Sequence, residues 1–86
     1  MAYPVCVHSV VLTEAGAANW TPRVTETITR VADRLGIGEE EAAQVAQYSA
    51  VVTEDGTLHM RMAAPGGERV EADVPFAEWQ IQGRLQ

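Results

Sequence analysis

The sequence predicts a small α+β domain, a two-helix corner packed on an antiparallel sheet in the order β-α-α-β-β-β, with residues 1–86 forming one domain. Three observations predict it. Tyr3 to Thr13 is dominated by valine and other strand-favouring residues. Residues 21–48 carry apolar side chains at helical spacing on both sides of Gly36. From Ala50 onward the apolar period changes to two, the signature of half-buried strands. Helices followed by a run of strands place the chain in the α+β class.

Each element follows in order. In Tyr3–Thr13 both alternating faces are apolar, with Val5, Val7 and Val11 on one and Cys6, Val10 and Leu12 on the other. That pattern predicts a strand covered on both faces, with Cys6 a buried, reduced thiol. Glu14 to Asn19 reads as a small-residue connection. Thr21 as N-cap and Pro22 at the first helical position open a helix. Val24, Ile28, Val31, Ala32 and Leu35 form its apolar stripe, Glu26 stands four residues before Arg30 in the favoured ion-pair order, and Gly36 is its C-cap. Gly38 caps a second helix running to about Tyr48 or Ser49, with Ala42, Val45, Ala46 and Ser49 on its buried face.

Glu54-Asp55-Gly56 is a turn. Leu58, Met60 and Met62 then alternate with Thr57, His59 and Arg61, and Val70, Ala72 and Val74 with Arg69, Glu71 and Asp73. Parity fixes how these strands pair, because a one-residue slip would put Glu71 in the core. A three-residue Pro65-Gly66-Gly67 loop pairs Met62 with Val70 and Met60 with Ala72. It also sets Arg61 opposite Glu71 and His59 opposite Asp73, opposite charges across the solvent face. The end of the chain reads two ways: Phe76 and Trp79 fit a helical turn, while Trp79, Ile81 and Leu85 fit an extended segment.

Composition narrows the function. The 86 residues carry a net charge of −6 and no lysine, so Schiff-base chemistry and lysine–phosphate contacts are excluded, and non-specific binding to nucleic acid or anionic membrane is disfavoured. No apolar run approaches the roughly 20 residues that cross a bilayer. No basic region precedes Val5–Leu12, which predicts a chain without a signal peptide and a cytoplasmic location. The Asn19-Trp20-Thr21 sequon has no meaning in that compartment.

The stretch Ile28 to Val45, with small Ala32, the turn at Gly36, Ile37 at the corner, and Ala42 and Val45 facing back, resembles the bihelical unit of helix-turn-helix proteins. With residues 50–63 as a wing, the resemblance extends to winged-helix proteins. It implies a DNA-binding transcriptional regulator, with Glu39, Glu40, Ala43 and Gln44 toward base edges and Arg23, Arg30 and Arg34 near phosphates. Of these, Gln44 has the chemistry of a base reader. Glu39-Glu40-Glu41 has the wrong charge for DNA and the right charge for a helix N-terminus.

Other constellations carry little chemistry. Cys6 and His8 share metal-ligand spacing, and Met60 and Met62 repeat it, but His59 points away from the methionines and a closed zinc set lacks a fourth ligand. His59 opposite Asp73 resembles the base–orienter half of a catalytic triad without a nucleophile. No glycine loop of P-loop or dinucleotide type is present. The sequence therefore predicts no cofactor and no metal. It predicts a small, acidic, non-enzymatic regulatory protein that binds another protein with a basic surface, in one form as an inhibitor, or that forms a homodimer through a sheet edge or Trp79. Its candidate partner-binding residues are Trp20, Glu39, Glu40, Glu41, Gln44 and Trp79, because aromatic anchors and acidic groups suit such an interface.

Overall fold

A computed structural model describes residues 2–81. Strand β1 (Tyr3–Val5) leads through a 3₁₀ turn at Val7–Ser9 to β2 (Val10–Leu12), then helix α1 (Glu14–Leu35) and helix α2 (Glu39–Val45). Strands β3 (Gln47–Val52), β4 (Leu58–Ala63) and β5 (Arg69–Val74) follow, then a 3₁₀ turn at Phe76–Glu78 and β6 (Trp79–Ile81). The main sheet is antiparallel in the order β1-β3-β4-β5, and β2 pairs with β6 in a second, two-stranded sheet. Helices packed on an antiparallel sheet make this the α+β domain that the sequence predicts.

The register of β4 on β5 matches the parity argument. Met62 faces Val70, Met60 faces Ala72, Arg61 faces Glu71 and His59 faces Asp73. The Ala64 amide donates to the Glu68 carbonyl at 2.8 Å and the Gly67 amide to the Ala64 carbonyl at 3.2 Å, leaving Pro65-Gly66-Gly67 as the loop. Gly66 takes φ 92°, the position after proline in a type II turn. One face of the sheet is consequently apolar. Ala50, Leu58, Met60, Met62, Val70, Ala72 and Val74 are buried there with Trp20, Ile28, Val31, Ala32, Ala42 and Ala46 of the helices.

Antiparallel pairs alternate between hydrogen-bonded and non-hydrogen-bonded. Counting from Ala64 and Glu68, the bonded pairs are Met62 with Val70, Met60 with Ala72 and Leu58 with Val74. Arg69, Glu71 and Asp73 therefore turn their backbone N–H and C=O groups to the free edge of β5. Thr53 donating to Thr57 at 2.9 Å sets the complementary parity for β3. Its partner β1 then bonds through Tyr3 and Val5, and Pro4, which has no N–H to offer, occupies the other free edge.

Several predicted boundaries move. The first segment is not one strand covered on both faces. It breaks at Val7–Ser9 so that β1 joins the main sheet and β2 the small one, and Val5, Val7, Val10 and Leu12 pack on the core from both positions. Cys6, at the break, is exposed rather than buried. Helix α1 starts at Glu14, with Thr13 as N-cap, so Ala15–Ala18 are helical and Pro22 lies inside the helix. Pro22 is exposed, where water can reach the carbonyl that its missing N–H leaves unpaired. Helix α2 ends at Val45, and Tyr48 and Ser49 belong to β3.

Leu35 and Val45 are 45% and 47% exposed, because the chain turns away at Gly36 (φ 72°) and at the extended Ala46, and half-buried Ile37 fills the corner instead. Both readings of the end are realised in succession, a 3₁₀ turn at Phe76 and then a strand from Trp79, while Leu85 lies outside the described residues. Among the described residues no helix is long and apolar enough to cross a membrane.

Helix α1 runs antiparallel to β5. Near one end Asn19 donates to the Asp73 carbonyl at 3.3 Å. At the other, Arg30 donates to Glu68 at 3.0 Å, and Arg34 grips both Glu68 and the Pro65 carbonyl. The Glu26–Arg30 pair is present but longer, at 4.0 Å. At its N-terminal end α1 approaches the chain so closely that a Cβ on Gly16 would stand 2.6 Å from the Glu78 carbonyl oxygen and 3.2 Å from a Val74 methyl. Gly16→Ala should therefore lower the unfolding free energy by about 1–3 kcal/mol, the cost of overpacking, although helix propensity alone favours alanine by about 1 kcal/mol. Urea unfolding of the two proteins checks the sign, and a more stable variant would mean that α1 does not seat on Val74 and Glu78.

Candidate functional site

The outer face of the main sheet places charge where the alternation of β4 and β5 dictates. His59 and Asp73 form a non-hydrogen-bonded cross-strand pair, the kind in which opposing side chains stand closest. The His59 Nδ1 lies 2.7 Å from Asp73 Oδ1, and its Nε2 lies 3.1 Å from Glu71 Oε1. The Asp73 hydrogen bond raises the His59 pKa above its ordinary value, partial burial opposes that, and the charges of Asp73 and Glu71 add to the rise. Carboxylates only accept, so both contacts are hydrogen bonds when the ring is protonated, and the neutral ring can donate to one of them. Its two carboxylates sit on opposite nitrogens and do not converge on a point. Among the described residues no group of three histidine, cysteine or acidic side chains is arranged to hold a metal ion.

Asp73 also lines a shallow, open depression of about 660 Å³ at the end of the sheet that carries the Gly56 turn. Its other walls are Ala2, Thr53, Glu54, Asp55 and Thr57, so none of its described lining residues is basic. The Thr53 hydroxyl, then the Thr57 amide at 3.1 Å, donate to Asp55 and hold its carboxyl below the usual range, so it stays ionised. A second cavity of about 280 Å³ adjoins through Asp73 and is lined by Asn19, Arg23, His59, Glu71 and Ala72. Glu54, Asp55, Asp73 and Glu71 thus follow one another in a tract along two neighbouring concavities, the first without a basic residue among its described walls and the second shared with Arg23 and His59.

None of the six partner-binding residues predicted from the sequence lines the larger cavity. Trp20 is a core residue, 8% exposed, and offers no broad face to a partner. Trp79 is half-buried and donates its indole N–H to the Gly56 carbonyl at 2.9 Å. The exposed aromatics at this end are instead Tyr3, across from Val52, and Phe76, which is 70% exposed and edge-on to Trp79. Glu39, Glu40, Glu41 and Gln44 are exposed on α2, where Glu39 accepts a hydrogen bond from Thr29 at 3.1 Å. Met60 and Met62 are core residues, not ligands. The exposed Cys6 thiol is held below its ordinary pKa by the His8 backbone amide and the Ser9 hydroxyl. Asn19 of the sequon sits within α1.

The sequence signal for the tract was the opposite-charge pairing of β4 and β5. Glu54 and Asp55 read from the sequence as neighbouring carboxylates in a turn with no cleft beside them, and the turn of β3 into β4 carries them to the same end. Comparisons of the chain with protein-family models, with curated proteins and with solved structures found no match.

Because His59 has a raised pKa in the fold, its contribution to stability is fully present below the unfolded value near 6.5 and is lost as pH rises through the higher folded value. The histidine side chain is 38% exposed, so solvent screening keeps the effect to about 0.5 kcal/mol. Urea unfolding at pH 6 and pH 8.5 should show this decline in the parent and not in His59→Gln. An equal decline in both proteins would assign it elsewhere.

Proposed function

We propose that the protein acts by binding another protein through the acidic tract of Glu54, Asp55, Asp73 and Glu71, and that it does so without catalysing a reaction. The partner presents basic side chains. The observation that carries this reading is the open depression of about 660 Å³ whose described walls bring the Asp55 and Asp73 carboxylates together with Glu54. Charge complementarity of this kind steers association and selects partners. Thr53 and Thr57 hold Asp55 ionised, and two of the arginines, Arg30 and Arg34, are engaged with Glu68 at the other end of β5. A net charge of −6 extends the same preference over the whole chain.

A protein that covers a basic surface in this way is a regulator or an inhibitor of that partner. The reading needs no homodimer, since Val5, Val10 and Leu12 find cover within one chain. The engagement of His59 by two carboxylates supports a structural role for it over a catalytic one.

Labelled hexa-arginine, followed by fluorescence anisotropy at low salt, tests the site. Asp55→Asn combined with Asp73→Asn should weaken its binding by about five- to tenfold, the loss of two screened charge contacts. Replacing Glu39, Glu40 and Glu41 by glutamine should change it less than twofold. The reverse ranking would move the site to α2.

The same protein should not bind a labelled random DNA duplex at micromolar concentration. Duplex binding that falls steeply with salt would displace this proposal in favour of a winged-helix regulator reading DNA through Gln44.

A further inference from the structure

The two edges of the main sheet are not equivalent. At β1 the free edge carries Pro4, and the strand is only Tyr3–Val5 long. At β5 the ladder parity leaves the N–H and C=O groups of Arg69 and Glu71 and the N–H of Asp73 directed outward. The Asp73 carbonyl is already taken by Asn19, so the open stretch ends there. An open concavity of about 280 Å³ lies beside this edge, lined by Asn19 and Arg23 of α1 and by His59, Glu71, Ala72 and Asp73. Unpaired backbone groups at a sheet edge are a template for an added strand, and such a strand places alternate side chains on the same face.

We infer that the basic partner is taken as an extended segment that adds a strand to the free edge of β5, its alternate basic side chains lying over Glu71 and Asp73. The inference rests on the acidic-tract reading and specifies its binding mode. Spacing carries the charge argument. Glu71 and Asp73 project from the same face two residues apart, with Arg69 before them and Arg61 and His59 across from them, so two basic residues at alternate positions of the segment meet both carboxylates, and continuing past Asp73 it reaches the depression of Glu54 and Asp55. A single strand is the occupant that suits the cleft. A second copy would bring its own α1 to the same face and edge, where Asn19 and Arg23 already form a wall.

Arg69→Pro separates this mode from attraction by charge alone. The Arg69 N–H points out of the ladder, so proline there removes an edge donor and leaves the β4–β5 bonds in place. The probe is a labelled peptide alternating arginine with threonine, with hexa-arginine as the unstructured comparison. Strand addition predicts that Arg69→Pro weakens the alternating peptide about tenfold while hexa-arginine binds at least as well as before, because a positive charge has been removed. Tighter binding of both peptides would overturn the inference and leave the acidic tract standing. Failure of both peptides to bind the parent protein would sink both.

A second measurement does not depend on the variant folding. Backbone N-methylation of the arginine residues and of the threonine residues, in separate peptides, should abolish binding for one set and spare the other, since only alternate amides face β5. Equal effects of the two sets, or a dimer of the free protein in sedimentation that the peptide cannot dissolve, would count against strand addition.

Discussion

The turn at Pro65-Gly66-Gly67 sets the register of β5 on β4, and that register decides which half of the sheet meets water. The two strands together bury Leu58, Met60, Met62, Val70, Ala72 and Val74. Shifting one strand by a single residue would bring Arg69, Glu71 and Asp73 to the core side and strand three valine or alanine side chains outside. The cost of burying those charges unpaired far exceeds what any loop could return. Loop length and strand alternation therefore agree on one answer. The same parity that builds the core also brings His59 against Asp73 and turns the edge of β5 outward.

Helix α1 is held to this hairpin at both ends by different physics. At its N-terminal end contact is steric, with Gly16 against Glu78 and Val74 leaving no room for a side chain. At its C-terminal end contact is polar, through Arg30 and Arg34 on Glu68 and the Pro65 carbonyl. Both arginines hold the Glu68 carboxyl below its usual range, Arg34 the more strongly. The arginines are about half exposed and Glu68 is half-buried, so these pairs fix orientation more than they add stability. The helix is long because its small residues, Ala15, Ala17 and Ala18, are strong helix formers that also allow close approach.

What could be read from the sequence was whatever obeys a period. The β4–β5 hairpin, its register, the Gly36 cap and the buried stripe of Ile28, Val31 and Ala32 all follow from spacing and turn chemistry. The start of α1 did not, because Pro22 is equally at home in a first helical turn and on an exposed helix face, and only tertiary packing chooses. The break in the first segment was hidden for a related reason. When both faces of a strand are apolar, alternation says nothing about where it changes sheet, and His8-Ser9 was the sole polar mark at the break. The candidate site was half legible: the His59–Asp73 pairing is a matter of register, whereas the cavity shared by Asp55 and Asp73 depends on two turns ending at the same place.

Charge is distributed along the long axis of α1 in a way that the helix itself favours. Arg30 and Arg34 sit in its C-terminal half beside Glu68, with Glu26 and Asp33 among them, and Glu14 sits in its first turn. Cations near a helix C-terminus and anions near its N-terminus are each stabilised by the backbone dipole. The Gly56 turn gathers Glu54, Asp55 and Asp73 at one end of the sheet, and the Pro65 turn at the other brings Glu68 to Arg30 and Arg34. Along β5 and at its start carboxylates meet arginine, Glu68 through Arg30 and Arg34 and Glu71 across from Arg61, whereas Asp55 is held charged by hydroxyl and amide donors. A carboxylate satisfied by neutral donors keeps its full field outside the protein. For a domain whose candidate role is to meet a basic partner, that is the arrangement that leaves most of the attraction unspent until the partner arrives.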